Sequence, residues 1–286
     1  MTNVKPENSP LKKLEYFSKL FKIEVYGKLE LFNPTGSHKD RESYEVLKDA
    51  EAKGFNAVGC ASTGNAAISL AAYSFMKNLK CHIYVSEKVN PEKLNLIEMF
   101  HPEIHVVKGN YEDAIRKSNE EMRIMGIYNA NPGKCKAKII GNMKIGFEIA
   151  EKIKPTYVIC PTNNGTHISG VWLGLKSAGL KPVMIAAVAK ETKVADSIAG
   201  FHKLEGKILK ETLKESEGFI VNVSDEEIIE TLRLLVKKEG IIAEPASAAP
   251  LATLNRIELN PGDIVCCTIT GLGLRLPKTM KRVLFL

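Results

Sequence analysis

The sequence predicts an α/β protein: two open, twisted, mostly parallel sheets with flanking helices. Three observations carry this. Short β-branched runs alternate with helical patterns, the order that parallel strands and crossover helices produce. The 286 residues are enough for one large or two modest domains. No repeat, low-complexity tract or Pro/Gly-rich linker breaks the alternation, so two layered units sharing a ligand cleft are expected.

In chain order, strands are expected at Asn56–Cys60, Cys81–Val85, Ile104–Val107, Tyr157–Pro161, Val183–Val188, Phe219–Val223 and Ile264–Thr268. Helices are expected at Ala66–Met76, Tyr111–Met125, Met143–Ile153, Ile168–Ser177 and Glu226–Lys238. The last helix is the best marked. Ser224 and Glu227 form a capping pair, Ile228, Ile229, Leu232, Leu235 and Val236 recur on one face, and Gly240 supplies the stop.

Composition narrows the function classes. Hydrophobic residues make up 44% and charged residues 26%, an ordinary globular balance. No apolar run approaches the roughly 20 residues that cross a bilayer, and Met1–Glu7 has no apolar signal core. A cytoplasmic protein without a membrane partner is expected. Net charge is +7, but the lysines are spread along the chain, so no nucleic-acid partner is expected. Handling of small phosphorylated molecules fits that charge at least as well. The six cysteines show no C-x-x-C or Cys/His ligand spacing, which points to buried reduced thiols and no metal.

Four loops resist a purely structural reading. In Asn33-Pro34-Thr35-Gly36-Ser37-His38-Lys39-Asp40-Arg41, turn residues lead into Lys39 at a helix start. Partial positive charge there eases access to the neutral amine that Schiff-base chemistry needs; a solvated surface lysine is the alternative. Ser62-Thr63-Gly64-Asn65, between strand and helix, offers an anion site suited to a carboxylate, or else ordinary capping. Asn163-Asn164-Gly165-Thr166-His167 can cradle a phosphate, or be a plain loop; it lacks the nucleotide-binding glycine signatures. Thr270-Gly271-Leu272-Gly273 places a neutral hydroxyl at a strand's carboxyl end, or is simply a turn.

Together and in this order, the loops resemble the fold-type II pyridoxal-phosphate enzymes, the tryptophan-synthase-β superfamily, and within it the threonine synthases. The first loop is similar to N-P-T-G-S-F-K-D-R, the second to S-x-G-N, and Gly240–Ala249 to G-I-x-x-E-P-A-S-A-A. Thr268–Arg275 is similar to T-x-T-G-x-G-L-K. The likeness covers nearly the whole chain. Departures are His38 for phenylalanine, Ala66 for a phosphate-contacting threonine, a glycine-poor phosphate loop, and Lys138–Lys144 in place of R-x-E-G-Q-K.

The resemblance implies pyridoxal 5'-phosphate held by Lys39, with Asn163, Asn164, Gly165, Thr166 and His167 on its phosphate. It implies Asn65 at the ring oxygen and Thr270 at the ring nitrogen. Ser62, Thr63 and Asn65 would hold the substrate carboxylate, and Lys138, beside Lys134, Lys136 and Lys144, a substrate phosphate. A large cofactor-binding domain of residues 1–44 and 145–286, a small mobile domain of 45–144 and a homodimer follow from the same likeness. The implied reaction converts O-phosphohomoserine and water to threonine and phosphate. Alternatives on this scaffold are a β-replacement such as cysteate synthase or O-phosphoserine sulfhydrylase, and a serine/threonine ammonia-lyase. A catalytically dead binding module is the remaining reading, opposed by intact Lys39, Asn65 and Thr270.

Overall fold

The computed structural model describes residues 4–199 and 206–285. Elements begin with β1 (Leu11–Lys13), α1 (Glu15–Phe21), β2 (Glu24–Leu29), α2 (Lys39–Ala52), β3 (Ala57–Ala61), α3 (Asn65–Lys77) and β4 (Lys80–Ser86). There follow α4 (Pro91–Glu98), β5 (Glu103–Val107), α5 (Tyr111–Met125), β6 (Tyr128–Asn129), α6 (Ala137–Ala150), β7 (Tyr157–Pro161) and α7 (Thr166–Ser177). The chain closes with β8 (Val183–Val188), α8 (Gly206–Glu215), β9 (Phe219–Asn222), α9 (Asp225–Glu239), α10 (Pro245–Ala252), β10 (Ile264–Ile269) and α11 (Pro277–Phe285).

Contacts divide these residues into two units, Met1–Glu7 with Asn33–Gly141, and Asn8–Phe32 with Asn142–Leu286. The first unit carries a wholly parallel four-stranded sheet in the order β5-β4-β3-β6. Its strands are short, and the two central ones, β3 and β4, are mostly buried with helices on both faces. Val46, Leu47 and Ala50 of α2 and Ile68 and Ala71 of α3 pack with Val58 and Ile83, while Ala114 and Met122 of α5 pack with Tyr84. Helix α5 starts on a capping box between Asn110 and Asp113 and ends where Gly126 turns left-handed.

The second unit carries a six-stranded sheet, β1-β2-β10-β7-β8-β9, with only β1 antiparallel. One face packs with α9 and α10, the other with α6 and α7. A side chain at Gly174 would stand 2.0 Å from the Met143 carbonyl, and one at Gly146 2.3 Å from that of Val171. Glycine at both positions is therefore what lets α6 and α7 touch backbone to backbone.

The α/β architecture with two mostly parallel sheets is as predicted, and β7, β8 and α5 have the predicted bounds. Strands β1 and β2 carry no β-branched run and were not expected. Helix α6 begins at Ala137, not Met143, because Gly141 seats it on α2: a Cβ there would lie 2.3 Å from the Arg41 carbonyl. The observed unit boundaries, at 32/33 and within α6 at 141/142, also differ from 44/45 and 144/145. Helix α2 belongs with the four-stranded sheet because Val46, Leu47 and Ala50 complete that core.

Candidate active site

Lys39 is the first residue of α2, reached by a turn in which Gly36 takes a positive φ of 79°. Buried Asp40 pins that turn. It accepts from the Thr35 amide at 2.6 Å, from the Thr35 hydroxyl, and from Ser69 at 2.6 Å. The Lys39 ammonium stands 2.6 Å from Glu42 Oε1, one turn along, with the Glu42 side chain only 2% exposed. Lys138 Nζ lies 3.8 Å from Glu42 Oε2, and His38 Nε2 3.8 Å from Oε1. The Gly141 contact puts Lys138 there, one turn earlier on the same helix face. Burial pushes the Lys39 amine below its ordinary value; the Glu42 carboxylate opposes that shift and the Lys138 charge adds to it. The neighbouring Cys60 thiol is pushed up to about 11, chiefly by burial.

Ser62, Thr63, Gly64 and Asn65 form the β3–α3 turn in the same unit, and Ser62 Oγ accepts from the Gly64 amide at 3.2 Å. Sequence reasoning missed Lys93 of α4. It is only 6% exposed, and its Nζ would lie 4.0 Å from a Cβ at Gly64, so a buried lysine flanks the Ser62–Asn65 turn. Its position after Asn90-Pro91, a capped helix start, carries no signal of that role. The expected lysine cluster is not kept together. Lys138 sits at Glu42, whereas Lys134 and Lys136 line a separate open groove of about 580 Å³ with Lys48, Lys53 and Tyr128. Lys144 belongs to the second unit.

His82, Glu103 and His105 also come together, on β4 and β5, with His82 Nδ1 3.2 Å from His105 Nε2. Their rings are stacked, with centroids 5.4 Å apart and planes at 20°. Glu103 stands 3.4 Å from each ring nitrogen, so the three ligand atoms lie within 4.8 Å of one another, a grouping that could hold a metal ion.

In the second unit, Gly165 takes a positive φ of 95° and caps α7, whose Ser169 amide is bonded to the Gly165 carbonyl at 3.1 Å. The amides ahead of it form a helix N-terminus suited to an anion. Asn163 ties the loop to the Ser197 and Ala199 carbonyls at 3.3 and 3.1 Å. The His167 ring does not serve the loop as expected. Its Nδ1 donates to Asn142 Oδ1 at 2.8 Å and its Nε2 is hydrogen-bonded with the Thr268 hydroxyl at 3.0 Å, inside the unit. Only its amide remains at the loop. Thr270 follows β10, buried, its hydroxyl 3.2 Å from that of Ser247. Ser247 in turn accepts from the Gly271 amide at 2.9 Å, which fixes the turn.

The same fold occurs in maize serine racemase (TM-score 0.84, 17% identity, covering 96% of this chain and 91% of that one). It occurs too in the processed form of threonine deaminase isoform 2 from Solanum lycopersicum (TM-score 0.83, 18% identity, covering 97% and 83%). The fold is thus the two-sheet α/β fold that those structures share. Residues 4–271 match the family model described as pyridoxal-phosphate dependent enzyme, and the chain belongs to that family. Among its relatives are threonine synthases of Halalkalibacterium halodurans (32% identity, 95% of this chain and 84% of that one) and Bacillus sp. strain ULM1 (34%, 94% and 84%). The threonine synthase of Methanocaldococcus jannaschii is 33% identical over 91% of this chain and 72% of its own.

The residues present fit the cofactor of that family. Each unit by itself offers groups that suit it: Lys39, an amine of lowered basicity, in the first, and the glycine-capped start of α7 and the buried Thr270 hydroxyl in the second. Ser37 Oγ, two residues before Lys39, and Asn164 Oδ1 in the α7 loop are buried without a hydrogen-bond partner among the described residues. Such atoms are costly unless a ligand or water meets them.

Proposed function

We propose that the protein converts O-phosphohomoserine and water to threonine and phosphate with pyridoxal 5'-phosphate on Lys39. The observation that carries this reading is the Lys39 amine, held at the start of α2 and lowered in basicity by burial. The threonine synthases similar to it along nearly the whole chain support the choice of reaction. The bound cofactor supplies the electron sink that acidifies the substrate's Cα–H bond.

The chain supplies the rest. Lys39 removes and returns the proton at Cα. The turn of Ser62, Thr63 and Asn65 orients the substrate carboxylate, and buried Lys93 and Lys138 offer positive charge to its phosphate. Asn163, Asn164, Gly165, Thr166 and the amide of His167 hold the cofactor phosphate. The Thr270 hydroxyl, being neutral, leaves the ring nitrogen unprotonated, which favours elimination and replacement over transamination. Six reduced cysteines, all buried, suit a cytoplasmic protein, and a homodimer is the assembly we expect.

The test is a substrate screen: O-phosphohomoserine, O-phosphoserine with sulfite or sulfide, serine and threonine, scored for released phosphate, threonine and keto acid. Phosphate and threonine in equal amounts from O-phosphohomoserine are expected. Activity confined to serine and threonine would replace the proposal with an ammonia-lyase, and activity confined to O-phosphoserine with a β-replacement enzyme.

A further inference from the structure

Glu42 has no place in the motif that marks Lys39, yet it is the group nearest the reacting nitrogen. Its carboxylate is 2% exposed, and 2.6 Å separates Oε1 from Lys39 Nζ. On its other side, Oε2 faces Lys138 at 3.8 Å, and Lys138 is itself 6% exposed. His38 approaches Oε1 at 3.8 Å, and Cys60 of β3 adds a neutral thiol to the same surroundings. A carboxylate with an ammonium on each side is held in place while either one changes charge.

We propose that Glu42 is the proton partner of Lys39. It keeps the resting amine as an ammonium and takes the proton when that amine must be neutral, to attach the cofactor or to act as base. In that step the Nζ–H bond breaks and an Oε1–H bond forms, so the pair stays neutral overall and no net charge is created in the protein interior. Lys138 sets the balance: its charge favours the ionised form of Glu42 and disfavours the ammonium form of Lys39. This inference rests on the reading of Lys39 as the cofactor lysine.

Burial, first, and Lys138 lower the basicity of the Lys39 amine, while Glu42 and, least, Cys60 raise it. The amine is nucleophilic only above its pKa, so these groups set the pH at which cofactor attaches. Glu42→Gln removes the group that raises the pKa. The midpoint of attachment rate against pH should therefore move down, by about one to two pH units, or ten- to a hundred-fold in the proton equilibrium. Lys138→Met removes a charge that lowers it, so its midpoint should move up. A purely structural role for Glu42 predicts no such opposite pair of shifts.

The experiment adds pyridoxal 5'-phosphate to apo-protein across a pH series and follows the coloured adduct. Borohydride fixation and peptide mapping at each pH locate the label. Label on another lysine in the wild type overturns the cofactor reading and this one with it, before any variant is read. Label on Lys39 with an unmoved or raised midpoint in Glu42→Gln overturns this proposal alone. Should Glu42→Gln not fold with two ammonium groups left unbalanced, the double variant E42Q/K138M is compared with K138M. Its midpoint must then lie below that of K138M for the proposal to stand.

Discussion

Replacing His167 by alanine should cost stability while leaving cofactor affinity nearly unchanged. The ring joins α6, α7 and β10 through Asn142 and Thr268, at 2.8 and 3.0 Å, and the residue is 6% exposed. Because Asn142 Oδ1 is an acceptor, Nδ1 carries the hydrogen toward it, and Nε2 pairs with the Thr268 hydroxyl, so the ring bridges the three elements. Losing two such bonds removes about 1–3 kcal/mol, at 0.5–1.5 each, and leaves buried polar groups on both partners to be met by rearrangement or water. A total of about 2–4 kcal/mol is expected for His167→Ala. The amide at the start of α7 survives the change, so the phosphate keeps its contact there. Urea denaturation of the apo-protein reads the stability, and titration with pyridoxal 5'-phosphate reads the affinity, expected within about three-fold of the wild type. Affinity lost a hundred-fold or more with the urea midpoint unmoved would refute the reasoning and return the ring to the phosphate loop.

Lys93→Ala should lower kcat/KM for the phosphorylated substrate roughly ten- to a hundred-fold, since a buried charged hydrogen bond is worth about 1.5–3 kcal/mol. Lys134→Ala and Lys136→Ala, which alter only the separate groove, should change it less than about two-fold; steady-state kinetics on all three variants decide the matter. Thr270→Asp should retain cofactor but place a carboxylate where a neutral hydroxyl stood, protonating the ring nitrogen. Its absorption spectrum and product distribution should both change, and identical spectra and products would remove Thr270 from the ring.

Fold legibility followed burial. Strands β7 and β8 are apolar along their length, and the sequence shows them as such. Strand β2 is as deeply placed, but it reads Glu24-Val25-Tyr26-Gly27-Lys28-Leu29, and its Lys28 is 1% exposed because Glu148, far off in sequence, and the Ser9 carbonyl meet it at 2.5 and 2.6 Å. A partner supplied by another element hides a strand from any pattern of hydropathy. Helix α2 was missed beyond its start for the same reason. Asp40, Arg41, Glu42 and Glu45 are buried along with Val46, Leu47 and Ala50, so the packed part of the helix carries charge as well as apolar groups.

The site divides along the same line. The helix starts at Lys39, Asn65 and Thr166 and the turn after Thr270 were legible because turn chemistry and helix starts are local, set by neighbours in sequence. What a side chain does at such a place depends on partners that local pattern does not name. His167 occupies the phosphate loop in sequence, yet Asn142 and Thr268 turn its ring inward. Lys134, Lys136 and Lys138 are spaced closely, yet only the last, one turn before Gly141, is carried to Glu42. Lys93, far from every motif, reaches the carboxylate loop from α4. In each case burial decides, because a charge or ring nitrogen removed from water must find a partner, and packing determines which. Glu42 shows the consequence most directly. A surface reading would make it a solvated residue of a polar helix, whereas its burial between two lysines ties the proton of Lys39 to a charge on a different helix.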